Sequence, residues 1–319
     1  MNSKSYNLFW KAVLVVTVVA LMGAFYFAAK RVDYTWRWKR VPQYFFYKAE
    51  LPVKADDDGI VTSIADGKAK STVNFEAETG EKYTYKVDSE TLNVSEGEDL
   101  FLGDRIGYVY SWEMGPLTLG IWTTLWISAV SGVLGLFLGI VFGLCRISKN
   151  PCLSGFAALY VELIRGTPLL VQIFIFYFFI GTVLDLDKYV AGVGALSLFA
   201  GAYVAEIIRA GIQSIARGQT EAARSLGMTA TQCMVYIIMP QALKRTLPPL
   251  AGQFISLIKD SSLLSVIAII DLTRAGREII SNTFATFEIW ITVALLYLVI
   301  TGTLSQLVQW MERRMAVSD

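Results

Sequence analysis

The sequence predicts an α-helical protein that crosses a membrane several times and carries one small β domain. Of its 319 residues, 54% are hydrophobic and only 17% are charged, and the mean hydropathy is +0.49. Uncharged apolar runs recur along the chain, and a run of about 20 residues is what a helix needs to cross a bilayer. Residues 48–110 differ, because they alternate polar and apolar side chains. We therefore expect a polytopic helical core with an inserted β domain.

The first apolar run covers residues 8–29 and is interrupted only by Lys11. Its length of about 22 residues gives roughly 33 Å of helix, enough to span a bilayer. We expect an uncleaved membrane anchor at residues 1–30, and a cleaved signal peptide is the competing interpretation. Bases and aromatics are then interleaved over residues 30–47, a composition typical of a membrane interface.

The predicted extracytoplasmic insertion occupies residues 31–115. Residues 71–78 and 82–88 alternate around Thr79-Gly80-Glu81, which indicates a β-hairpin. The run of three aspartates before Gly59 predicts a solvated turn, since it lacks the other ligands of a calcium loop. We expect a small β domain that serves as a spacer or a docking surface.

The rest of the chain, residues 116–319, forms the predicted membrane core. Five apolar runs are long enough to span, and they cover residues 116–144, 152–181, 190–215, 247–270 and 286–308. Pro248 and Pro249 suit a helix start for the fourth run. Lys and Arg are richer in the connections that then fall on one side, which predicts that side to be cytoplasmic. Gly135, Gly139 and Gly143 give the first run a smooth face, which packs either against another subunit or within this one.

Composition excludes several classes of function. The chain has no histidine, and its three cysteines lack metal-ligand spacing. The net charge of +1 does not indicate nucleic-acid binding. The phosphate-binding pattern GxxxxGK[ST] does not occur, so we expect no ATP hydrolysis by this chain, no cofactor bound to it and no enzymatic activity.

One polar stretch stands between the third and fourth core runs, EAARSLGMTATQCMVYIIMP at residues 221–240. Thr220 is a predicted N-cap, Gly227 a predicted helix stop, and Thr229 with Gln232 has capping-box spacing. A second helix is expected to end near Pro240. The pattern closely resembles the EAA loop of ABC-importer permeases, and the matching positions are Glu221, Ala222, Ala223, Gly227, Ile237 and Pro240. Met239 departs from it, since the family usually has Leu there.

Two further stretches narrow the resemblance. RGTPLLVQ at residues 165–172 and GAYVAEIIRAG at residues 201–211 resemble the polar amino acid branch of these permeases. The resemblance covers residues 116–314 and implies a type I ABC-importer fold of five core helices. It implies that residues 221–240 couple the chain to a separate ATPase. The N-terminal helix and the β domain are additions to that core.

Ionisable residues inside the spans are candidates for function, because they are expensive in a bilayer. Lys259 and Asp260 fall near the predicted midplane and suit the carboxylate and ammonium of an amino acid. Hydrogen bonds along the same substrate pathway are expected from Gln253, Ser256, Ser261 and Ser262. The alternative is a structural ion pair with acidic or basic residues of neighbouring helices. Glu162 and Arg165 are three apart on one helical face and can pair, and Glu206 and Arg209 repeat this spacing. We expect gating or helix packing from these four residues and from the helix break at Gly166 and Pro168.

The resemblance implies a permease subunit that moves a polar amino acid across the bacterial inner membrane. Its implied partners are two copies of an ABC ATPase that binds ATP and Mg²⁺, a second permease (identical or homologous) and a periplasmic amino-acid-binding protein. The charge bias predicts cytoplasmic termini and a periplasmic β domain. A membrane-anchored receptor or assembly protein that acts through its β domain is the alternative. The sequence leaves open which amino acid is carried.

Overall fold

The computed structural model describes residues 3–31 and 34–316. It divides into two units, the first ending at Val41 and the second beginning at Pro42. The first unit holds helix α1 (Ser3–Arg31), whose described side chains are almost all exposed. Apolar residues surround the helix rather than forming a stripe, as suits contact with lipid. Its apolar stretch Phe9–Ala24 is shorter than the spans below, so the membrane anchor stays a prediction.

Among the described residues of the second unit, six strands lie where the sequence predicts a β domain. They are β1 (Phe46–Lys54), β2 (Gly59–Ala65), β3 (Lys70–Ala77), β4 (Lys82–Asp88), β5 (Asp99–Leu100) and β6 (Arg105–Met114). β1 pairs antiparallel with β6 along its whole length, and the other four form an antiparallel sheet in the order β4-β3-β2-β5. The predicted hairpin is β3–β4, with Gly80 at φ +84° in its turn. Val61, Phe75 and Ile106 are buried in the domain's apolar core.

The β domain joins the helical core without a linker. β6 ends at Met114, and helix α2 (Pro116–Arg146) begins after a single residue, Gly115. The Gly115 amide and the Thr118 hydroxyl both donate to the carbonyl of Phe45, each at 2.7 Å. A Cβ on Gly115 would lie 2.3 Å from the carbonyl oxygen of Tyr44, so only glycine fits this junction.

The helical core comprises nine helical segments by the numbering used below. They are α2, α3 (Pro151–Arg165), α4 (Leu169–Phe174), α5 (Lys188–Gln213), α6 (Arg217–Ser225), α7 (Ala230–Gln232), α8 (Met239–Asp260), α9 (Leu272–Thr283) and α10 (Thr286–Ala316). Four of the described spans are long and apolar enough to cross a membrane: Pro116–Arg146, Lys188–Gln213, Ala230–Ile267 and Thr286–Arg314. A fifth candidate span is obtained if α3 is counted together with the segment Leu169–Gly181, which contains α4 and the π-helical turn after it. These two parts meet at an angle of 105°. The predicted polytopic helical core is thus present.

The glycine face of α2 packs inside the chain, against α5. A Cβ on Gly139 would lie 2.3 Å from Cγ1 of Val204, and one on Gly135 would lie 2.7 Å from Cβ of Ala200. Small residues let helix backbones approach closely in a membrane, where packing rather than water drives association. Of the two alternatives for this face, the internal one is what the structure shows.

The fourth core span differs from its prediction. We expected it to start at Pro248 and Pro249, but both prolines lie inside α8. The span starts at Ala230 and ends at Ile267, through a π-helical turn (Cys233–Ile238), α8 and a 3₁₀ helix (Ser261–Ile267). Proline removes a backbone donor, but packing of α8 against α5 and α10 holds the helix together through the gap.

Candidate functional site

The loop with the Glu-Ala-Ala pattern is a folded helical turn. α6 begins at Arg217 after Ala216, so the prediction that Thr220 caps this helix was wrong; Thr220 lies within it. Gly227 adopts φ +83°, as predicted, and the Met228 amide donates to the Ala223 carbonyl at 3.2 Å. This left-handed residue ends the helix and reverses the chain.

The second half of the loop begins with the predicted capping box. The amide of Gln232 donates to Oγ1 of Thr229 at 3.2 Å, and the amide of Thr229 donates to Oε1 of Gln232 at 2.8 Å. The helix does not end near Pro240, contrary to prediction. Instead the amide of Met239 reaches back to the carbonyl of Met234, and this wider π-helical turn admits the proline ring without a break.

The coupling loop, residues 221–240, buries one face and presents another. Ala223 is 4% exposed and packs with Cys233 and Ile238 against the last residues of α5 and the first residues of α8, with Ile237 partly buried beside them. The other face is open to solvent and holds Glu221, Ala222, Gly227 and Pro240. Leu226, also on this face, is 84% exposed. Sequence reasoning missed Leu226. The available signal was its position, since an apolar residue directly before the turn glycine of a polar loop is a candidate for exposure to a partner.

Polar contacts join the two spans that flank this loop. Nη1 of Arg245 on α8 donates to the carbonyl of Ser214, just beyond α5, at 2.7 Å. The same atom lies 3.1 Å from the hydroxyl of Ser214. Ser214 lies three residues before α6 begins at Arg217, so the contact lies at the base of the segment that contains the loop.

Five charged residues from α2, α3 and α5 form what we call the arginine cluster: Arg146, Glu162, Arg165, Glu206 and Arg209. Arg209 donates to both oxygens of Glu206, at 2.9 and 2.5 Å, which confirms the predicted pairing. The predicted pair of Glu162 with Arg165 was wrong. Glu162 lies 3.6 Å from Arg146, and Arg165 lies 3.6 Å from Glu206, because partners on neighbouring helices compete successfully.

Arg146 was missed by the sequence reasoning as a member of this cluster. It ends α2, and we treated it only as a charge that marks the cytoplasmic end of a span. Its position as the last residue before a tight connection to α3 was the available signal. The fold brings that end of α2 beside α3 and α5, which the sequence spacing does not show.

The helix break at Gly166 and Pro168 lies next to the arginine cluster. α3 ends at Arg165, and α4 starts after Pro168 at an angle of 105° to it. The side-chain nitrogen of Gln172 donates to the carbonyls of Ile164 at 2.7 Å and Thr167 at 3.1 Å. It therefore satisfies backbone groups that the break leaves open, which membrane helices require.

The residues of the predicted substrate pathway lie along α8 and at the start of the 3₁₀ helix that follows it. Lys259 is exposed and Asp260 half-buried, at the point where α8 passes into the 3₁₀ helix. The hydroxyl of Ser261 donates to the carbonyl of Ile258 at 2.8 Å, while Ser256 and Ser262 are partly exposed. Gln253 instead lines an apolar cavity of about 400 Å³ between α2, α5, α8 and α10.

The open alternative for Lys259 and Asp260 was an ion pair with neighbouring helices. Within the described part of the chain, the candidate partners are engaged in the arginine cluster, and neither Lys259 nor Asp260 forms an ion pair with them. Among the residues described, the side chain of Lys259 therefore forms no salt bridge, although its charge interacts with that of the adjacent Asp260.

A bundle of apolar spans with a helical Glu-Ala-Ala loop on one side defines the membrane component of a transport system. Residues 135–317 match the family described as "Binding-protein-dependent transport system inner membrane component", and the chain belongs to this family. The resemblance seen in the sequence is thereby confirmed.

Two curated relatives agree with this. The chain is 43% identical over 200 residues to the probable glutamine ABC transporter permease protein GlnM of Bacillus subtilis (strain 168), covering 62% of this chain and 93% of that protein. It is 40% identical over 210 residues to the glutamine transport system permease protein GlnP of Escherichia coli (strain K12), covering 65% and 96%. The matched segments cover nearly all of each relative and about two thirds of this chain.

Solved structures give the same fold. The chain resembles one from the crystal structure of an amino acid ABC transporter with histidines, with 42% identity, a TM-score of 0.60 and coverage of 62% of this chain and 94% of the other. A chain of the inward-facing MetNI methionine ABC transporter matches with a TM-score of 0.56 over 62% and 95%, at 21% identity, and supports the fold alone. The core is therefore a type I ABC-importer permease fold.

Proposed function

We propose that this chain is the transmembrane permease subunit of an ABC importer that moves a polar amino acid across a bacterial inner membrane. The observation that carries the proposal is the coupling loop, which is folded into helical turns, exposed on one face and placed between two spans that Arg245 and Ser214 join. A loop that only connected helices would need none of these three properties. The identity of 40–43% to glutamine permeases points to the same substrate class.

The coupling loop would take its energy from a separate ATPase. Leu226, Glu221 and Ala222 present one apolar side chain, one acid and one small surface, a combination that a groove on a soluble protein can receive. Two ATPase copies that bind ATP and Mg²⁺, with two permeases above them, would drive two states of the bundle. Movement of the loop would shift α5 and α8 through Arg245 and Ser214.

The exposure of Lys259 within its span supports the presence of a second permease subunit and of a pathway shared by the two. The 3₁₀ helix that follows it rises about 2.0 Å per residue, so the lysine lies roughly 14 Å or more from the span's outer end. An exposed lysine that forms no salt bridge at that depth, with only the adjacent Asp260 near its charge, is costly against lipid. We propose that this face of α8 lines a water-filled pathway closed by a second permease, identical or homologous, where Lys259 and Asp260 meet the amino acid's charged groups.

Sidedness follows from the charge bias. We propose that the termini and the coupling loop face the cytoplasm, that α1 crosses the membrane, and that the β domain faces the periplasm. A periplasmic amino-acid-binding protein would deliver the substrate there, in keeping with the description of the family. The β domain's own task is a separate question.

Two exposed leucines on opposite sides provide the test. Leu226 of the coupling loop is 84% exposed and Leu102 of the β domain is 70% exposed. The full chain would be purified from its own membranes as wild type, Leu226→Glu and Leu102→Glu, and co-purifying ATPase and its activity measured. We expect Leu226→Glu to lose the ATPase and Leu102→Glu to retain it. The receptor alternative predicts that Leu226→Glu is harmless and that Leu102→Glu loses a partner.

A further inference from the structure

The arginine cluster holds more positive than negative charge. Three arginines, Arg146, Arg165 and Arg209, face two carboxylates, Glu162 and Glu206, so the net charge is +1. The carboxylate of Glu206 is approached from three different helices. Arg209 donates to both oxygens of this carboxylate at short distance, whereas the other two arginines approach it only to 3.6 and 3.9 Å. The charges of the cluster are therefore unevenly paired.

Within the described part of the chain, Arg146 is the arginine of the cluster that lacks a hydrogen-bond acceptor for a buried donor. Its Nη1 lies 3.9 Å from Glu206 and its Nη2 lies 3.6 Å from Glu162, both beyond hydrogen-bonding distance. Nη1 is buried, and among the residues that the structure describes it has no hydrogen-bond partner. A buried donor without an acceptor is destabilising, and more so when the donor is charged. A guanidinium in this state favours any acceptor that can reach it.

The cluster is open on one side. The side chain of Arg146 is 18% exposed, but those of its neighbours Arg165 and Glu162 are 40% and 72% exposed. The guanidinium of Arg165 also lies 5.4 Å above the ring of Tyr203, which fixes its plane while leaving its edge available. A small anion can therefore approach the edges of two arginines from the open side.

We infer that the arginine cluster binds one oxyanion, held chiefly by Arg146 with Arg165 beside it. A guanidinium offers paired donors whose spacing matches a carboxylate or a phosphate. Two sources present that chemistry here. One is the carboxylate of the transported amino acid, and this source rests on the proposed function. The other is the phosphate of a lipid of the leaflet nearest the end of α2, where basic groups between helices hold anionic headgroups.

Lipid binding is measured on the full chain with its partner subunits in nanodiscs of phosphatidylcholine with a minority of phosphatidylglycerol. Native mass spectrometry counts the phosphatidylglycerol retained. If the oxyanion is lipid phosphate, Arg146→Gln lowers retention about tenfold or more, as expected for one charge-assisted pair. Glu162→Gln raises the net charge of the cluster to +2 and increases retention. This opposite sign separates a binding site from general damage to the fold.

Amino acid binding is measured on the same complexes without a binding protein, using radiolabelled L-glutamine as the probe and L-glutamine amide, which lacks the α-carboxylate, as the competitor. If the oxyanion is a substrate carboxylate, wild type prefers L-glutamine about tenfold, and Arg146→Gln removes that preference. Arg165→Gln, a more exposed position, weakens it in the same direction.

Lys149→Gln is the matched control, since Lys149 is exposed and lies outside the cluster. The inference is supported if either lipid retention or carboxylate preference depends on Arg146 and not on Lys149. It is overturned if Arg146→Gln, Arg165→Gln and Glu162→Gln leave both unchanged, or if Lys149→Gln has the same effect. Because neither assay requires transport, failure here is distinct from the loss of ATPase association that tests the proposed function.

Discussion

Arg245 on α8 donates to the carbonyl of Ser214, just beyond the end of α5, at 2.7 Å. The contact crosses 31 residues of sequence and joins the two spans that flank the coupling loop. We expect a partner that pulls on α6 to act on both spans through this contact, with Arg245 as a positioning residue.

We predict that Arg245→Ala lowers the amount of amino acid moved per ATP hydrolysed while the ATPase subunits stay bound. The contact is exposed, so its loss costs only about 1 kcal/mol, too little to unfold the protein. Transport and hydrolysis would be measured together in proteoliposomes. Arg313→Ala, an exposed base at the end of α10, is the control and should leave the ratio unchanged. An unaltered ratio in Arg245→Ala would exclude this coupling role.

Gly227 adopts a left-handed backbone, whereas Gly218 in the neighbouring helix α6 does not. We predict that Gly227→Ala weakens coupling, since an L-residue in this conformation costs about 1–2 kcal/mol, and that Gly227→Pro abolishes it because proline fixes φ near −65°. Gly218→Ala has free space for its methyl group and should be neutral or mildly stabilising.

These Gly227 and Gly218 variants would be compared by substrate-stimulated ATPase activity in assembled complexes, with membrane insertion checked in parallel. Equal activity of Gly227→Pro and Gly218→Ala would contradict the assignment of the coupling loop.

The glycine face of α2 gives a prediction about stability. Gly139→Ala would place a methyl group 2.3 Å from Val204, whereas Gly155→Ala on α3 meets nothing within 4 Å. We expect Gly139→Ala to destabilise the core by roughly 1–3 kcal/mol, the usual range for overpacking, and Gly155→Ala to have no such effect. Thermal unfolding of both variants in detergent measures the difference. Equal midpoints would mean that α2 and α5 are not packed this closely.

Local signals in the sequence predicted the elements whose cause is local. The β3–β4 hairpin follows from alternation around Gly80, and the Thr229 capping box and the Gly227 stop follow from a few neighbouring residues. The predictions that failed needed tertiary information. Pro248 and Pro249 suggested a helix start, but packing on α5 and α10 carries α8 through them, and a π-helical turn carries the chain through Pro240.

In the candidate site, too, contacts within one helix were predictable from the sequence and contacts between helices were not. The pair of Glu206 with Arg209 lies within one helix and was predictable from a spacing of three. Arg146 joins that pair only because α2 ends beside α5, and Gln172 matters only because α3 and α4 meet at an angle. A side chain whose partner is distant in sequence gives no periodic signal, which is why these two residues were missed.

The base of the β domain allows the domain to be removed without disturbing the core. Lys48 and Trp112 are directly paired on β1 and β6, so a two-residue Asn-Gly turn can replace residues 49–111 and close the ribbon. The paired stub and the glycine junction at Gly115 remain. We predict that this variant inserts, retains its ATPase partner and still hydrolyses ATP, because no residue of the coupling loop or the arginine cluster lies in the excised segment.

Co-purification and ATPase activity check this prediction, and a Gly115→Val variant of the full chain is the comparison. A valine side chain would collide with the backbone of Tyr44, so this change should destabilise the junction itself. If the excised variant keeps its ATPase while the Gly115→Val variant loses stability, the core is autonomous and the junction is structural. If excision instead removes the only stable partner of the chain, the receptor alternative gains, since its activity resides in the β domain.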